Sequence, residues 1–296
     1  MSRRLILLGH YPPPVVLEEG QSLLEAMVAL DQRGVRHAVV VDQRGCFLGI
    51  FSIRRLLGEL LEGYEKGDLA ERLESKRVEE VARRDAPRFV VGEFDMEQVI
   101  ETMAEKNIGA VVVTDSSGCV LGIISEKHIT GAMALSSINA AVHEIMSRPV
   151  HSLPLEASVA DALRLMVKHR HRHAPVVDNE NRLEAIVSAR DILALLASEQ
   201  SLEMIRRGEA DKVYGLEVLR IAVGAPATIR PSSDISTALR IMRKRGVSAL
   251  PVVDEGYHVI GIVTERDFVT KLPKLMGVEL FYDLARSKLY VARVVA

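Results

Sequence analysis

Apolar residues recur at helical spacing in several stretches of the chain, and strand-like apolar runs lie between them. Leu23, Ala26, Met27 and Leu30 share one helical face, as do Val99, Ile100, Met103 and Ala104, and again Ala162, Leu163 and Met166. Each set is followed by a run ending in Asp: Ala38-Val39-Val40-Val41-Asp42, Val111-Val112-Val113-Thr114-Asp115 and Ala174-Pro175-Val176-Val177-Asp178. Leu250-Pro251-Val252-Val253-Asp254 is a fourth copy. Turn formers come next, such as Arg44-Gly45, Ser117-Gly118 and Glu255-Gly256. A second apolar run then leads into polar residues: Gly49-Ile50-Phe51-Ser52-Ile53-Arg54-Arg55, Gly122-Ile123-Ile124-Ser125-Glu126-Lys127-His128, Ala185-Ile186-Val187-Ser188-Ala189-Arg190-Asp191 and Gly261-Ile262-Val263-Thr264-Glu265-Arg266-Asp267. The pattern predicts helix, strand, hairpin turn, strand and helix. Its spacing of about 60–75 residues is too long for common solenoid units and suits a small repeated domain.

The last copy shows what such a strand–helix junction carries. Thr264 is suited to cap the following helix, because its hydroxyl can accept an orphan N–H. Asp267 falls three residues on, where a carboxylate suits the positive end of the helix dipole. Alone, this is an ordinary capping box. Ser188 and Asp191 repeat it in the third copy, whereas Arg55 and His128 replace the carboxylate in the first two.

These ordered copies of a "PVVD" strand, a turn and a "GIVT" strand between helices resemble CBS domains, the small modules named after cystathionine β-synthase. The resemblance covers nearly the whole chain. The run Val247-Ser248-Ala249-Leu250-Pro251-Val252-Val253-Asp254 is also similar to one in the gamma subunit of AMP-activated protein kinase, another chain of four such units. The expected fold class is therefore α/β (α+β). Four β-α-β-β-α units span 1–66, 67–138, 139–200 and 201–272, and a tail at 273–296 holds a strand-like run at 289–295. A unit this small buries little apolar surface alone. The resemblance implies that repeats one and two form one pseudo-twofold pair and repeats three and four another. The two pairs would make a disc, as a monomer or within a homodimer.

The resemblance also implies clefts between paired units that bind adenine nucleotide: AMP, ADP or ATP. A ribose diol needs a carboxylate acceptor, and phosphate needs hydroxyls, helix N–H groups and guanidinium. Adenine needs an apolar slot. Carried over position by position, Ser188, Arg190 and Asp191 would work with Val223, Thr228, Val247, Ser248 and Ala249. Thr264, Arg266 and Asp267 would work with Ser147, Val150, Ser152, Arg172 and His173. The two Asp residues are the diol acceptors, and Ser188 and Thr264 the phosphate hydroxyls. With Arg172 and His173 across it, the Asp267 cleft is expected to prefer the more highly charged ligand. A cation at Arg55 or His128 cannot accept ribose hydrogen bonds. The clefts of the first pair are thus expected to be empty or weakly occupied, with Arg36 and His37 available to any phosphate. The run His169-Arg170-His171-Arg172-His173 stays open between a metal site, a basic helix end and an anion contact.

Composition narrows the alternatives. Among 296 residues, 48% are hydrophobic and 26% charged, which fits a globular chain. Lys plus Arg number 38 against 40 acids, so bulk charge draws it neither to nucleic acid nor to an anionic membrane. Aromatics are 4% with no Trp, leaving little to stack on single-stranded bases. No apolar run reaches the ~18 residues of a membrane span. The apolar stretch at the N-terminus is too short for a signal peptide, so a cytoplasmic protein is expected. The two cysteines, Cys46 and Cys119, sit three residues before a motif glycine with no zinc pattern around them. They read as small strand residues; a disulfide between them stays open, with no support in the sequence. Residues 62–85 alternate charge at helical spacing and read as a solvated connector. No nucleophile–base pair, metal cluster or P-loop stands out, so an enzyme is not expected. Two functions remain: a nucleotide-binding, energy-sensing regulatory protein acting on a kinase-like or other effector, or a scaffold disc without ligand. A binder of S-adenosylmethionine or RNA is a third.

Overall fold

The structure, a computed structural model, describes residues 8–134 and 138–276. The strand expected at 289–295 lies outside the described residues. Within them the four-fold repetition is plain. The first helices Leu23–Gln32, Met96–Glu105, Val159–His169 and Ile235–Arg245 start at Ser22, Asp95, Ser158 and Asp234. Each of those side chains accepts a first-turn backbone N–H, as an N-cap should. An antiparallel hairpin follows each helix: His37–Val41 with Phe47–Ser52, Ala110–Thr114 with Val120–Ser125, His173–Val177 with Leu183–Ser188, and Ala249–Val253 with Val259–Thr264. A leading strand pairs parallel to the hairpin's first strand in repeats one to three. In the fourth it shrinks to a single bridge, Ile229 to Val252.

The "PVVD" aspartate sets the turn. Asp42, Asp115, Asp178 and Asp254 each accept through Oδ1 the backbone N–H four residues on, from Cys46, Cys119, Arg182 and His258, at 2.8–2.9 Å. Such Asx bonding fixes a tight turn. The residue before each of those four has positive φ, and it is Gly45, Gly118, Asn181 and Tyr257. Gly and Asn tolerate that region; in repeat four the glycine, Gly256, falls one place early.

Pairing of units comes from exchanged segments. The chain leading into each repeat crosses to the second hairpin strand of its partner. His10 bridges Ile123, Arg83 bridges Ile50, Ser147 bridges Ile262, and Val223 pairs with Ile186. The four isoleucines occupy one motif position. The motif glycine before each gives the crossing segment room. A Cβ on Gly122 would stand 2.8 Å from the His10 carbonyl oxygen and 2.2 Å from the Tyr11 ring, and one on Gly49 would stand 3.0 Å from the Arg83 carbonyl oxygen. Repeat three has Ala185 there instead, and its register partner on the crossing strand is Gly224. The space is supplied from the other side.

Two kinds of interface then close the molecule. Sheet faces of repeats one and two meet around Val39, Ile50, Val112 and Ile123, and those of three and four around Val177, Val253 and Val259. Helices pack between pairs: Leu56, Leu57 and Leu60 of repeat one share a core with Leu163, Ile192 and Leu196 of repeat three. Ile129 and Met133 of repeat two share another with Leu239, Phe268 and Val269 of repeat four. The connector at 62–85 is more than the solvated helix its charges suggest. Its short helices Leu69–Ser75 and Val78–Val81 bury Leu69, Leu73, Val78 and Val81, while Arg72 and Lys76 pair with Glu59 on the outer side.

Gly122→Ala is expected to destabilise the fold by about 1–3 kcal/mol, since the added methyl meets backbone as well as a ring. Urea unfolding would read this as a lower midpoint at unchanged slope.

Candidate functional site

At the middle of the molecule the four repeats meet in a network of ions. Glu126 of repeat two is fully buried. Its Oε2 accepts from Arg172 Nη2 of repeat three at 2.7 Å, and its Oε1 from Arg266 Nε of repeat four at 3.1 Å. Arg36 of repeat one pairs with Glu265 of repeat four. Arg266 also donates to the Asn107 carbonyl at 2.9 Å, and His173 Nε2 lies 3.0 Å from Ser248 Oγ. Burial would raise the Glu126 carboxyl, but Arg172, Arg266 and Arg36 outweigh it and hold it well below the usual carboxylate range.

Beside this network opens a cavity of about 1070 Å³. Nine Arg or Lys side chains line it, with one carboxylate, that of Asp267. It joins the repeat-four junction (Thr264, Arg266, Asp267), the segment leading into repeat three (Ser147, Val150) and the repeat-one junction (Ser52, Arg54, Arg55). Asp267 is almost fully buried, and its acceptor positions are in use. Oδ2 takes the Thr264 backbone N–H at 2.8 Å and hydroxyl at 2.7 Å; Oδ1 takes the Ser147 hydroxyl at 2.8 Å and Lys271 Nζ at 2.7 Å. Lys271 is half-exposed, and its Nζ also donates to the Ile145 carbonyl at 2.9 Å and the Ser147 hydroxyl at 2.8 Å.

The residues expected at this cleft are thus partly brought together. Ser147 touches Asp267, and Val150, Thr264 and Arg266 line the same space. Ser152 is half-buried and lies outside the cavity's lining. Arg172 and His173 also line the cavity; Arg172 Nη2 is held by Glu126 and His173 Nε2 by Ser248. Among the described residues, Arg54, Arg148 and Arg170 line the cavity without an ion pair. Among the described residues Arg54 makes no ion pair, and its buried Nε has no hydrogen-bond partner. Burial, then Arg266 and Arg172, push its guanidinium down to about 10, still charged at neutral pH.

The residues expected around Asp191 are more scattered. Asp191 Oδ2 accepts the Ser188 backbone N–H and hydroxyl, both at 2.7 Å. Val223 is 55% exposed on its edge strand, Thr228 is half-buried and Ala249 is buried. Arg190, Val247 and Ser248 turn toward a second, smaller cavity of about 220 Å³ shared with Ser125 and His128, whereas Ser188 and Asp191 lie outside the lining of both.

The first pair also departs from expectation. His128 is no cation: burial, then His10 and Lys127, push its imidazole down to about 4. Its Nδ1 lies 3.0 Å from the Ser125 backbone N–H and accepts from it, as the Asp does in repeats three and four. Arg55 instead donates to the Val81 carbonyl at 3.1 Å. Arg36 is committed to Glu265, and His37 is pushed down to about 3 by enclosure, then by Arg172 and Arg36, so neither offers phosphate a free charge. In the basic run, His169 stacks on His151 at 3.5 Å between ring centroids, with His171 5.3 Å from His151. Among the described residues, no three His, Cys, Asp or Glu side chains are placed to hold a metal ion. No helix among them is long and apolar enough to cross a membrane. Glu126 and Arg54 escape a sequence reading because each sits between motif positions and looks like an ordinary first-turn residue.

Residues 8–62, 78–135, 142–198 and 220–274 each match the CBS domain family. The chain belongs to the CBS domain family. An uncharacterised 33.4 kDa protein in the ribosomal RNA operon of Thermofilum pendens is 33% identical over 294 residues, covering 97% of each chain. Among solved structures, protein MJ1225 of Methanocaldococcus jannaschii, described as a candidate archaeal homolog of g-AMPK, superposes with a TM-score of 0.78 at 22% identity, over 88% of this chain and 97% of that one. An uncharacterised conserved protein from Pyrococcus horikoshii gives 0.59 at 21% identity, over 91% of this chain and 98% of its own. At these identities the likeness is one of fold.

Glu126→Gln leaves three guanidinium groups around a neutral amide and is expected to cost about 3–5 kcal/mol at pH 7. Because the folded carboxyl titrates below its ordinary 4.5, its stabilisation is complete above that pH and is lost as the pH falls further. Urea unfolding of wild type and variant should therefore converge toward acid pH. His37 has the same sign at a higher window: the unfolded imidazole binds its proton near 6.5 and the folded one near 3, so stability drains as the pH falls between them. His37→Gln should make the pH–stability curve less steep over that interval, where His128 and His173 contribute with the same sign.

Proposed function

We propose that this CBS protein is a regulatory adenine-nucleotide sensor without catalytic activity. Its main site is the cleft between repeats three and four at Asp267, where AMP, ADP or ATP binds and alters contacts with a protein partner. The observation that carries this reading is the single carboxylate in a cavity lined by nine Arg or Lys residues. A buried acceptor suits a ribose diol, and a cationic cavity next to it suits phosphates. The diol would displace Lys271 from Oδ1 and leave its charge beside the phosphates. Adenine would lie toward Val150 and Ile262, which line the same cavity. The basic lining also bears on the alternative ligand: S-adenosylmethionine carries a sulfonium cation, which this cavity would repel. With Ser248 and Arg190 turned to the smaller cavity, the Asp191 cleft is the lesser site.

Calorimetry with AMP and ATP on the full chain tests this. Asp267→Ala should weaken both nucleotides at least about tenfold, the loss of roughly 1.5–3 kcal/mol of charge-assisted hydrogen bonding, while Asp191→Ala leaves the main site intact. Absence of binding by any of AMP, ADP or ATP, with the fold intact, would favour the scaffold reading.

Arg54→Ala should weaken ATP by about tenfold and AMP by less, and the difference should shrink as salt rises. Equal losses for both nucleotides would place Arg54 away from the phosphates. Incubation with ATP should yield no ADP, because Asp267, the one carboxylate lining the cavity, would be occupied by the ribose and by the Ser147 and Thr264 hydroxyls rather than by a water.

A further inference from the structure

The two cysteines face each other where the hairpin turns of repeats one and two meet. Cys46 and Cys119 form an antiparallel bridge, and their Sγ atoms are 3.9 Å apart across 73 residues of sequence. The Phe47 N–H donates to the Gly118 carbonyl and the Val120 N–H to the Gly45 carbonyl, each at 3.1 Å. Those bonds flank the cysteines without involving them, so the two form a non-hydrogen-bonded pair. Residues so placed have Cα atoms about 4.5 Å apart, within the roughly 4.4–6.8 Å that a disulfide spans.

Both turns are preset. The Cys46 N–H is held by Asp42 and the Cys119 N–H by Asp115, and each cysteine carbonyl accepts from the N–H of the same Asp. In the second pair the same bridge holds Arg182 and His258, flanked in the same way by Leu183 to Tyr257 and Val259 to Asn181. The juxtaposition is thus a property of paired CBS units in this chain, and only the first pair places two thiols on it. Both cysteines are free and partly accessible, so a small oxidant can reach them.

We propose that Cys46 and Cys119 are an oxidisable dithiol whose intramolecular disulfide locks the turn of repeat one to that of repeat two. The oxidant is a low-molecular-weight disulfide. One cysteine attacks it as thiolate and forms a mixed disulfide, releasing the first small thiolate. The second cysteine, as thiolate, attacks the protein sulfur of that mixed disulfide and expels the second. The two protein thiols are oxidised, the small disulfide is reduced to two small thiols, and the two cysteine protons end on them. Contact with Cys119, then partial burial and Asp42, raise the Cys46 thiol above its ordinary value, so exchange should quicken as the pH rises.

The test uses the full chain with glutathione disulfide, read by intact mass, non-reducing electrophoresis and thermal unfolding. The expected product is a monomer lighter by two hydrogens, with a thermal midpoint raised by about 5 °C or more and restored by dithiothreitol. Cys46→Ser and Cys119→Ser should each stop at one glutathione adduct and show no such rise. A wild-type chain that ends doubly glutathionylated, crosslinks only between molecules, or keeps both thiols through prolonged exposure at alkaline pH would overturn the proposal.

Discussion

One buried carboxylate, that of Glu126, gathers charged groups from the different repeats. Glu126 is enclosed by the guanidinium groups of Arg172 and Arg266, with Arg36 close by on Glu265. Those residues come from all four repeats. Apolar packing between helices is permissive about angle and register, but an ion pair in low dielectric is not: one partner moved away leaves a charge unsolvated. The network thus ties the two pairs together beside the apolar cores that their helices share. It also keeps Arg172 and Arg266 from turning fully into the neighbouring cavity. The surplus of positive charge there falls to residues without a carboxylate, Arg54 foremost.

The local architecture was largely legible from the chain. Each strand, turn and cap is governed by residues within a few positions of one another. Asp42 sets its own turn, and Ser22 caps its own helix. The glycine of the "GIVT" run was readable as a motif but not as a cause, because the segment that needs the space comes from the partner unit. Ala185 looks like a lapse of the pattern until Gly224 is found across from it.

The convergence around the carboxylate was legible from the chain, and the partners of the cations were not. Asp267, Ser147 and Thr264 converge as their motif suggests. The sequence around Arg172 carries no sign of its partner, because Glu126 lies 46 positions away in another repeat. His128 misleads for a related reason. Enclosure strips its charge and leaves a neutral acceptor where a cation was expected. Both features concern solvation, which depends on closure of the whole assembly.

The crossing segments have a consequence for how the chain can be divided. His10 completes the sheet of repeat two, and Arg83 that of repeat one. A single unit cut out at its own boundaries loses the piece lent to it and keeps one that belongs elsewhere. The smallest portable module is a pair together with the residues ahead of its first strand. Damage to the start of the chain is therefore felt in its second unit, more than a hundred residues downstream, while the first unit beside it stays whole.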